Sequence, residues 1–185
     1  MLRAFIVYVE NKPGVLSRVV SLFRRRGYNI DSLTVGRTEK PDVSRMTIVM
    51  DADEDQVRRI VANIYKLVNV LLVDVISKDG PPAIGRDLAL IKVAITHEAR
   101  SHVLELANVF RARVVDVAPD SVTIEITGVE EKVDGLPEVL RPFGLLEMVR
   151  TGQVVMRRGT KGSTVAAKSK GSQQETAGAE IPGSV

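Results

Sequence analysis

At 185 residues and 44% hydrophobic content, the chain is long enough for two small domains, each with a core of its own. It contains no cysteine, which excludes disulfides, thiolate metal sites and thiol redox chemistry and fits a reducing, cytoplasmic setting. The net charge of +3 is concentrated near the C-terminus, in "MRRGTKG" and "AKSK", so the remainder is close to neutral and lacks the basic face that a nucleic-acid binder needs.

Met1 runs directly into "LRAFIVYVE", whose short apolar run fits neither a signal nor a transit peptide. The longest apolar stretch, "LVNVLLVDVI", is broken by Asn69 and Asp74 and falls short of the roughly 20 residues of a membrane span. A soluble protein without membrane association is expected.

In chain order, "AFIVYV" (4–9) is β-branched and aromatic and reads as a strand. "PGVLSRVVSLFRRRG" (13–27) reads as a helix, with Val15, Leu16, Val19, Val20 and Phe23 at helical spacing, Pro13 suited to its first position and Gly27 as its stop. "YNIDSLTVGRT" (28–38) and "VSRMTIVMD" (43–51) form a hairpin around "EKPD". Asp53 or Asp51 can cap a second helix over 54–68, whose Val57, Ile60, Val61, Ile64 and Leu67 make an apolar stripe, and "NVLLVDVI" (69–76) ends the unit as a strand. The order is βαββαβ.

After the break "SKDGPPAIGR" (77–86) the order recurs. It comprises a strand over 87–95, a helix over 97–110, two strands flanking "PDS", a helix over 130–144 and a strand over 145–152. Pro137 should kink or shorten the last helix. Such an order specifies an α+β fold of two tandem ferredoxin-like units, each with antiparallel strands and both helices on one sheet face. Apolar residues at most strand positions call for the other face and the edge strands to be covered, most simply by a second copy of the fold, so a homodimer is expected. From residue 158 onward the chain is rich in Gly, Ser, Ala, Lys and Gln without an apolar period and reads as a disordered tail.

Catalytic constellations are missing. The two histidines, His97 and His102, are five residues apart, which does not place both on one helix face, and they read as surface or capping residues rather than a metal site. No phosphate-binding glycine loop or nucleophile elbow occurs. The run Arg24-Arg25-Arg26 sits where cations complement a helix dipole, an account preferred to a phosphate or partner site.

One stretch invites a ligand. In "NKPGVL" (11–16), Gly14 lets a ligand approach the N–H groups of Val15 and Leu16, and these groups with the helix dipole can hold a carboxylate. Asn11 and Asn29 each add a donor and an acceptor, suiting an α-amino acid, and Val15, Leu16 and Ile30 suit an aliphatic side chain. The residues alone leave the plainer account open, in which Asn11 shapes the turn and Asn29 caps the helix.

The blocks "NKPGVLSR", "GYNIDSLTVG" and "SRMTIV" closely resemble the ACT domain of the small, regulatory subunit of acetolactate synthase, or acetohydroxyacid synthase. The resemblance continues through "RDLALIKV", "FRARVVDVAPDSVTIEITG" and "LRPFGLLEMVRTG" and so covers about residues 2–157. It implies an ACT domain over 1–77, a linker over 78–86, a second ferredoxin-like domain over 87–157 and a tail over 158–185. It also implies a chain without catalysis of its own, which activates a large catalytic subunit and confers feedback inhibition by valine in branched-chain amino-acid biosynthesis. No cofactor is expected on this chain; thiamine diphosphate, Mg and FAD would belong to the catalytic subunit. Valine would lie at the ACT–ACT dimer interface, between Asn11, Gly14, Val15 and Leu16 of one chain and Asn29 and Ile30 of its mate.

Two other readings share the order of elements. An RNA-recognition module needs exposed aromatics on central strands, but "VSRMTIVM" has none and the chain has only 4%. A stand-alone ACT amino-acid sensor for another enzyme or regulator is the remaining alternative, against which the second domain argues.

Overall fold

The computed structural model describes residues 2–77 and 79–159. The polar tail expected from residue 158 lies, from 160 on, outside the described residues.

The first unit comprises β1 (Leu2–Glu10), α1 (Val15–Arg25), β2 (Ser32–Arg37), β3 (Val43–Asp51), α2 (Glu54–Ile64) and β4 (Val70–Ile76). Its antiparallel sheet has the order β2-β3-β1-β4. Because side chains alternate along a strand, Phe5, Val7 and Val9 of β1 share one face with Met46, Ile48 and Met50 of β3, and the register sets Phe5 opposite Ile48 and Val7 opposite Met46. Against that face α1 packs Val15, Val19, Leu22 and Phe23, and α2 packs Ile60 and Ile64, all buried. Asp53, not Asp51, caps α2: it accepts from the Gln56 N–H at 2.7 Å while the Gln56 side chain accepts from the Asp53 N–H at 2.9 Å.

The second unit comprises β5 (Ala83–Ala94), α3 (Arg100–Val109), β6 (Arg113–Val117), β7 (Ser121–Gly128), α4 (Glu130–Leu140), a 3-10 turn (Arg141–Phe143), β8 (Leu145–Arg150) and β9 (Val154–Arg157). The order β6-β7-β5-β8 repeats that of the first sheet. Ala89, Ile91 and Val93 of β5 and Val122, Ile124 and Ile126 of β7 bury themselves against Val103, Ala107, Val133, Leu136 and Leu140 of the helices. The fold is therefore α+β, with two ferredoxin-like units. Pro137 is buried within α4, which ends at Leu140 rather than continuing to 144 and hands over to the 3-10 turn. His97 and His102 are both exposed.

The outer face of the first sheet differs from expectation. Part of its cover comes from the same chain. β5 begins at Ala83, and its first four residues pair with β9, Ala83 opposite Arg157 and Arg86 opposite Val154. This ribbon packs Val155 and Ala83 on Ala4, Val49 and Ile76 of the first sheet. Arg157 fastens it by two bonds to the Asp74 carboxylate, at 2.7 and 2.6 Å, and by a third to the Val75 carbonyl at 3.0 Å. The hydrogen bonding of Arg157 to Asp74 and the charge of that carboxylate outweigh the desolvation of Arg157 and raise the guanidinium above its ordinary value. On the other side of the ribbon, the Arg45 guanidinium donates to the Val155 carbonyl.

Candidate functional site

The first strand of the fold leads into the candidate site. Asn11 leaves β1 with its backbone N–H on the Asp42 carbonyl at 2.7 Å and its side-chain amide on the Pro41 carbonyl at 3.0 Å. The amide donor thus ties the loop after β1 to the loop before β3, which is the turn-shaping role. Gly14 is the residue before the helix and has φ +79, a left-handed conformation that favours glycine. Pro13 was expected at the first helical position, but α1 begins at Val15, and Pro13 occupies the turn that Gly14 closes.

Val15 buries its side chain in the core and sends its N–H to the Lys12 carbonyl, at a long 3.4 Å. The next free donors are the N–H groups of Leu16 and Ser17, which have no acceptor among the described residues. An ideal Cβ on Gly14 would meet nothing within 4 Å, so the approach to these donors is open. Along the same side of α1, Gly14, Leu16, Ser17, Val20, Ser21 and Arg24 line an open depression of about 490 Å³. Leu16 and Val20 supply its apolar floor, exposed to 40% and 37%.

Asn29 lies beyond the far end of α1. The helix closes with a left-handed Gly27 at φ +70, whose N–H bonds the Arg24 carbonyl while the Tyr28 N–H bonds that of Phe23, both at 3.1 Å. Gly27 does the capping, so Asn29 is released from it. Its side-chain amide instead donates to Asp31 Oδ1 at 3.0 Å, and both residues are exposed. Ile30 is half-buried and packs on the core of the first unit. Asp31 was not singled out from the sequence; its carboxylate becomes notable only because Asn29 holds it beside Ile30.

The six residues do not form one pocket within a chain. Asn11, Gly14, Val15 and Leu16 cluster at the start of α1, Asn29 and Ile30 lie past its end, and 11 residues at about 1.5 Å rise separate the two groups by roughly 16 Å. Each group resembles half of a site. The first offers N–H donors and apolar side chains, and the second offers an amide, a carboxylate and one apolar side chain.

The arginine run has local partners: Arg25 donates to the Ser21 carbonyl at 3.3 Å and Arg26 to Asn63 Oδ1 at 3.2 Å. Among the described residues no group of three His, Asp or Glu could hold a metal ion, and no helix is long and apolar enough to cross a membrane.

A second contact, invisible in the sequence, joins β2 to the other unit. Ser32 Oγ accepts from the Gln153 N–H at 3.0 Å, and Thr34 Oγ1 donates to the Gln153 carbonyl at 3.2 Å. On the far side of this segment, Thr151 bonds its N–H to the Leu88 carbonyl at 3.0 Å. Arg150 bridges the buried Asp87 to Asp134, the latter at 2.7 Å. Burial opposes the charge on Arg150, yet the hydrogen bond and charge of Asp87 and the charge of Asp134 prevail and raise its pKa.

Comparison with known proteins follows the same division. Residues 5–72 match the family model for the AHAS small subunit-like ACT domain, and residues 86–159 match that for the small subunit of acetolactate synthase. The chain is 48% identical to the probable acetolactate synthase small subunit of Archaeoglobus fulgidus, over 87% of this chain and 99% of that one. It is 47% identical to the acetolactate synthase small subunit of Mycobacterium bovis, over 84% of this chain and 92% of that one. In three dimensions it is similar to the crystal structure of the acetolactate synthase small subunit from Thermotoga maritima, with a TM-score of 0.82 and 37% identity, covering 86% of this chain and 99% of that one.

Proposed function

The chain belongs to the family of acetolactate synthase small subunits, which implies a catalytic-subunit partner, and from that premise we propose that it is the feedback regulator of branched-chain amino-acid biosynthesis. It acts in the cytoplasm, without catalysis or a cofactor of its own. The thiamine diphosphate, Mg and FAD of the reaction belong to the catalytic subunit. It raises the activity of that subunit and, with valine bound between two ACT domains of a homodimer, lowers it.

The observation that carries this reading is the placement of the half-sites relative to β2. This strand is an edge of its sheet, paired only with β3 among the described residues. If two copies join β2 edge to edge about a two-fold axis, the strands run antiparallel, and the start of one lies beside the end of the other. The start of β2 carries Asn29, Ile30 and Asp31. Beyond its end lie Pro41 and Asp42, to which Asn11 is tied. Pairing the edges therefore brings the Asn11–Leu16 group of one chain next to the Asn29–Asp31 group of its mate.

In such a pocket the valine carboxylate sits on the N–H groups of Leu16 and Ser17, where the helix dipole favours an anion. Its ammonium meets the amide oxygens of Asn11 and Asn29 and the Asp31 carboxylate of the other chain. The isopropyl group lies against Leu16, Val20 and the partner's Ile30. Valine affinity and the preference for one state of the complex are linked reciprocally, and a coupling of about 1–3 kcal/mol is sufficient.

The test is reconstitution with the catalytic subunit, with and without valine. Gly14→Asp places a like charge at the carboxylate position and is expected to abolish valine inhibition while leaving activation largely intact. Normal valine inhibition in the Gly14→Asp complex would overturn the site assignment. Failure of the wild-type chain to activate the catalytic subunit would overturn the regulatory role.

A further inference from the structure

We propose that Ser32 and Gly152 are positioning residues that carry the occupancy of the effector site to the C-terminal domain, an inference that rests on the regulatory reading above. Ser32 follows Asp31 directly and lies two residues after Ile30, so any shift of the Asn29–Asp31 group is a shift of Ser32. The hydroxyls of Ser32 and Thr34, alternate residues on the outer face of β2, hold the two peptide groups of Gln153 from either side. These bonds come from the face of β2 and leave β3 as its one strand partner among the described residues.

Gly152 makes this close approach possible. It has φ +83, and a Cβ there would fall 2.6 Å from Ser32 Oγ and 3.0 Å from Thr34 Oγ1. Any other side chain would have to displace these two hydroxyls, and with them their bonds to Gln153. One residue earlier, the chain is locked into the second unit, because Thr151 bonds Leu88 through its backbone and reaches Asp87 with its hydroxyl at 3.3 Å. Asp87 and Asp134 hold Arg150, and Asp134 belongs to α4. Movement of β2 is therefore passed through Gly152 to β8, β5 and α4.

The contact is also built to move. It borders a cleft of about 380 Å³ lined by residues of both units, among them Asp31, Ser32, Asp87 and Arg150. Polar bonds beside an open cleft can exchange partners with water at low cost, whereas a close-packed core has no such freedom.

Two variants test the proposal. Ser32→Ala deletes one hydroxyl on an edge strand, and Gly152→Ala sets a methyl group where the Ser32 and Thr34 hydroxyls now lie. Valine affinity is measured by calorimetry on the small subunit alone, and activation and valine inhibition on the reconstituted complex. The expected result is a valine Kd within about threefold of wild type and normal activation, together with loss of at least about half of the inhibition at saturating valine. Ser32→Thr, which keeps the hydroxyl, restores inhibition. Wild-type inhibition in Ser32→Ala overturns the proposal, and so does a loss of inhibition that merely follows a loss of valine binding. Absence of valine binding by the wild-type subunit overturns the regulatory reading itself and is seen before any variant is made. Should Gly152→Ala fail to fold, Ser32→Ala and Ser32→Thr decide the matter.

Discussion

Gly14 and Asn11 serve the candidate site in different ways, and their substitution separates geometry from binding. Since nothing lies within 4 Å of a Cβ at Gly14, Gly14→Ala should cost only the backbone strain of φ +79, about 1–2 kcal/mol, visible as a lower denaturant midpoint. The loss of inhibition expected for Gly14→Asp then belongs to charge at the ligand, not to packing. Asn11→Ala removes the amide bond to Pro41 and should reduce both stability, by about 1 kcal/mol, and valine affinity, measured by calorimetry. These residues were legible in the sequence because turn chemistry is local. Pro13 was placed two positions too far along, since α1 begins at Val15, because the proline signature of a helix start also serves a turn that precedes one. Asp31 was not legible, since its role depends on Asn29 being relieved of capping by Gly27.

At the scale of elements, the kind and order of strands and helices with a continuous apolar period were readable, although several ends were not, α2 stopping at Ile64 rather than 68. β3 occupies the predicted 43–51, and α2 starts where Asp53 and Gln56 specify a capping box. Asp53→Ala should therefore cost about 1 kcal/mol, and Ile60→Ala, which empties a fully buried position, about 2–5 kcal/mol, both measured by urea unfolding. β9 was not readable. Four residues carry no period, and their partner, the first part of β5, lies far back in a segment whose Gly and Pro content suggests a linker. The attachment of β9 is strong despite its length. Arg157→Ala would remove the two bonds to Asp74 and the one to the Val75 carbonyl that hold β9 to the first sheet and should lower stability by about 1–3 kcal/mol, again as a shift of the unfolding midpoint.

For the whole molecule, the sequence suggested that apolar strand residues imply a second copy, and the inference ran together two surfaces. The outer face of the first sheet is covered in part within the chain by the β5–β9 ribbon. The β2 edge is not, and it is this edge that the proposed dimer uses. Val35 lies on β2 and is 42% exposed. Val35→Asp would set like charges close together across a two-fold edge and should shift the protein toward monomer in sedimentation, with a parallel loss of valine binding because neither half-site suffices alone. No sequence pattern distinguishes an edge that is left open from a face that is covered at home, since both present the same valines.

The ribbon also bears on folding. The doubled βαββαβ pattern suggests two modules that could be cut apart, yet β5 is a single strand of 12 residues that serves the outer face of the first unit at one end and the second sheet at the other. A fragment ending at Ser77 would uncover Ala4, Val49 and Ile76 together and should associate through them or unfold more readily than the intact chain. The full-length protein should accordingly lose both units in one cooperative transition, with fluorescence of the tyrosines in the first unit and the helical signal of all four helices falling together. Arg157→Ala, by loosening the ribbon, should lower the midpoint of that shared transition for both signals together.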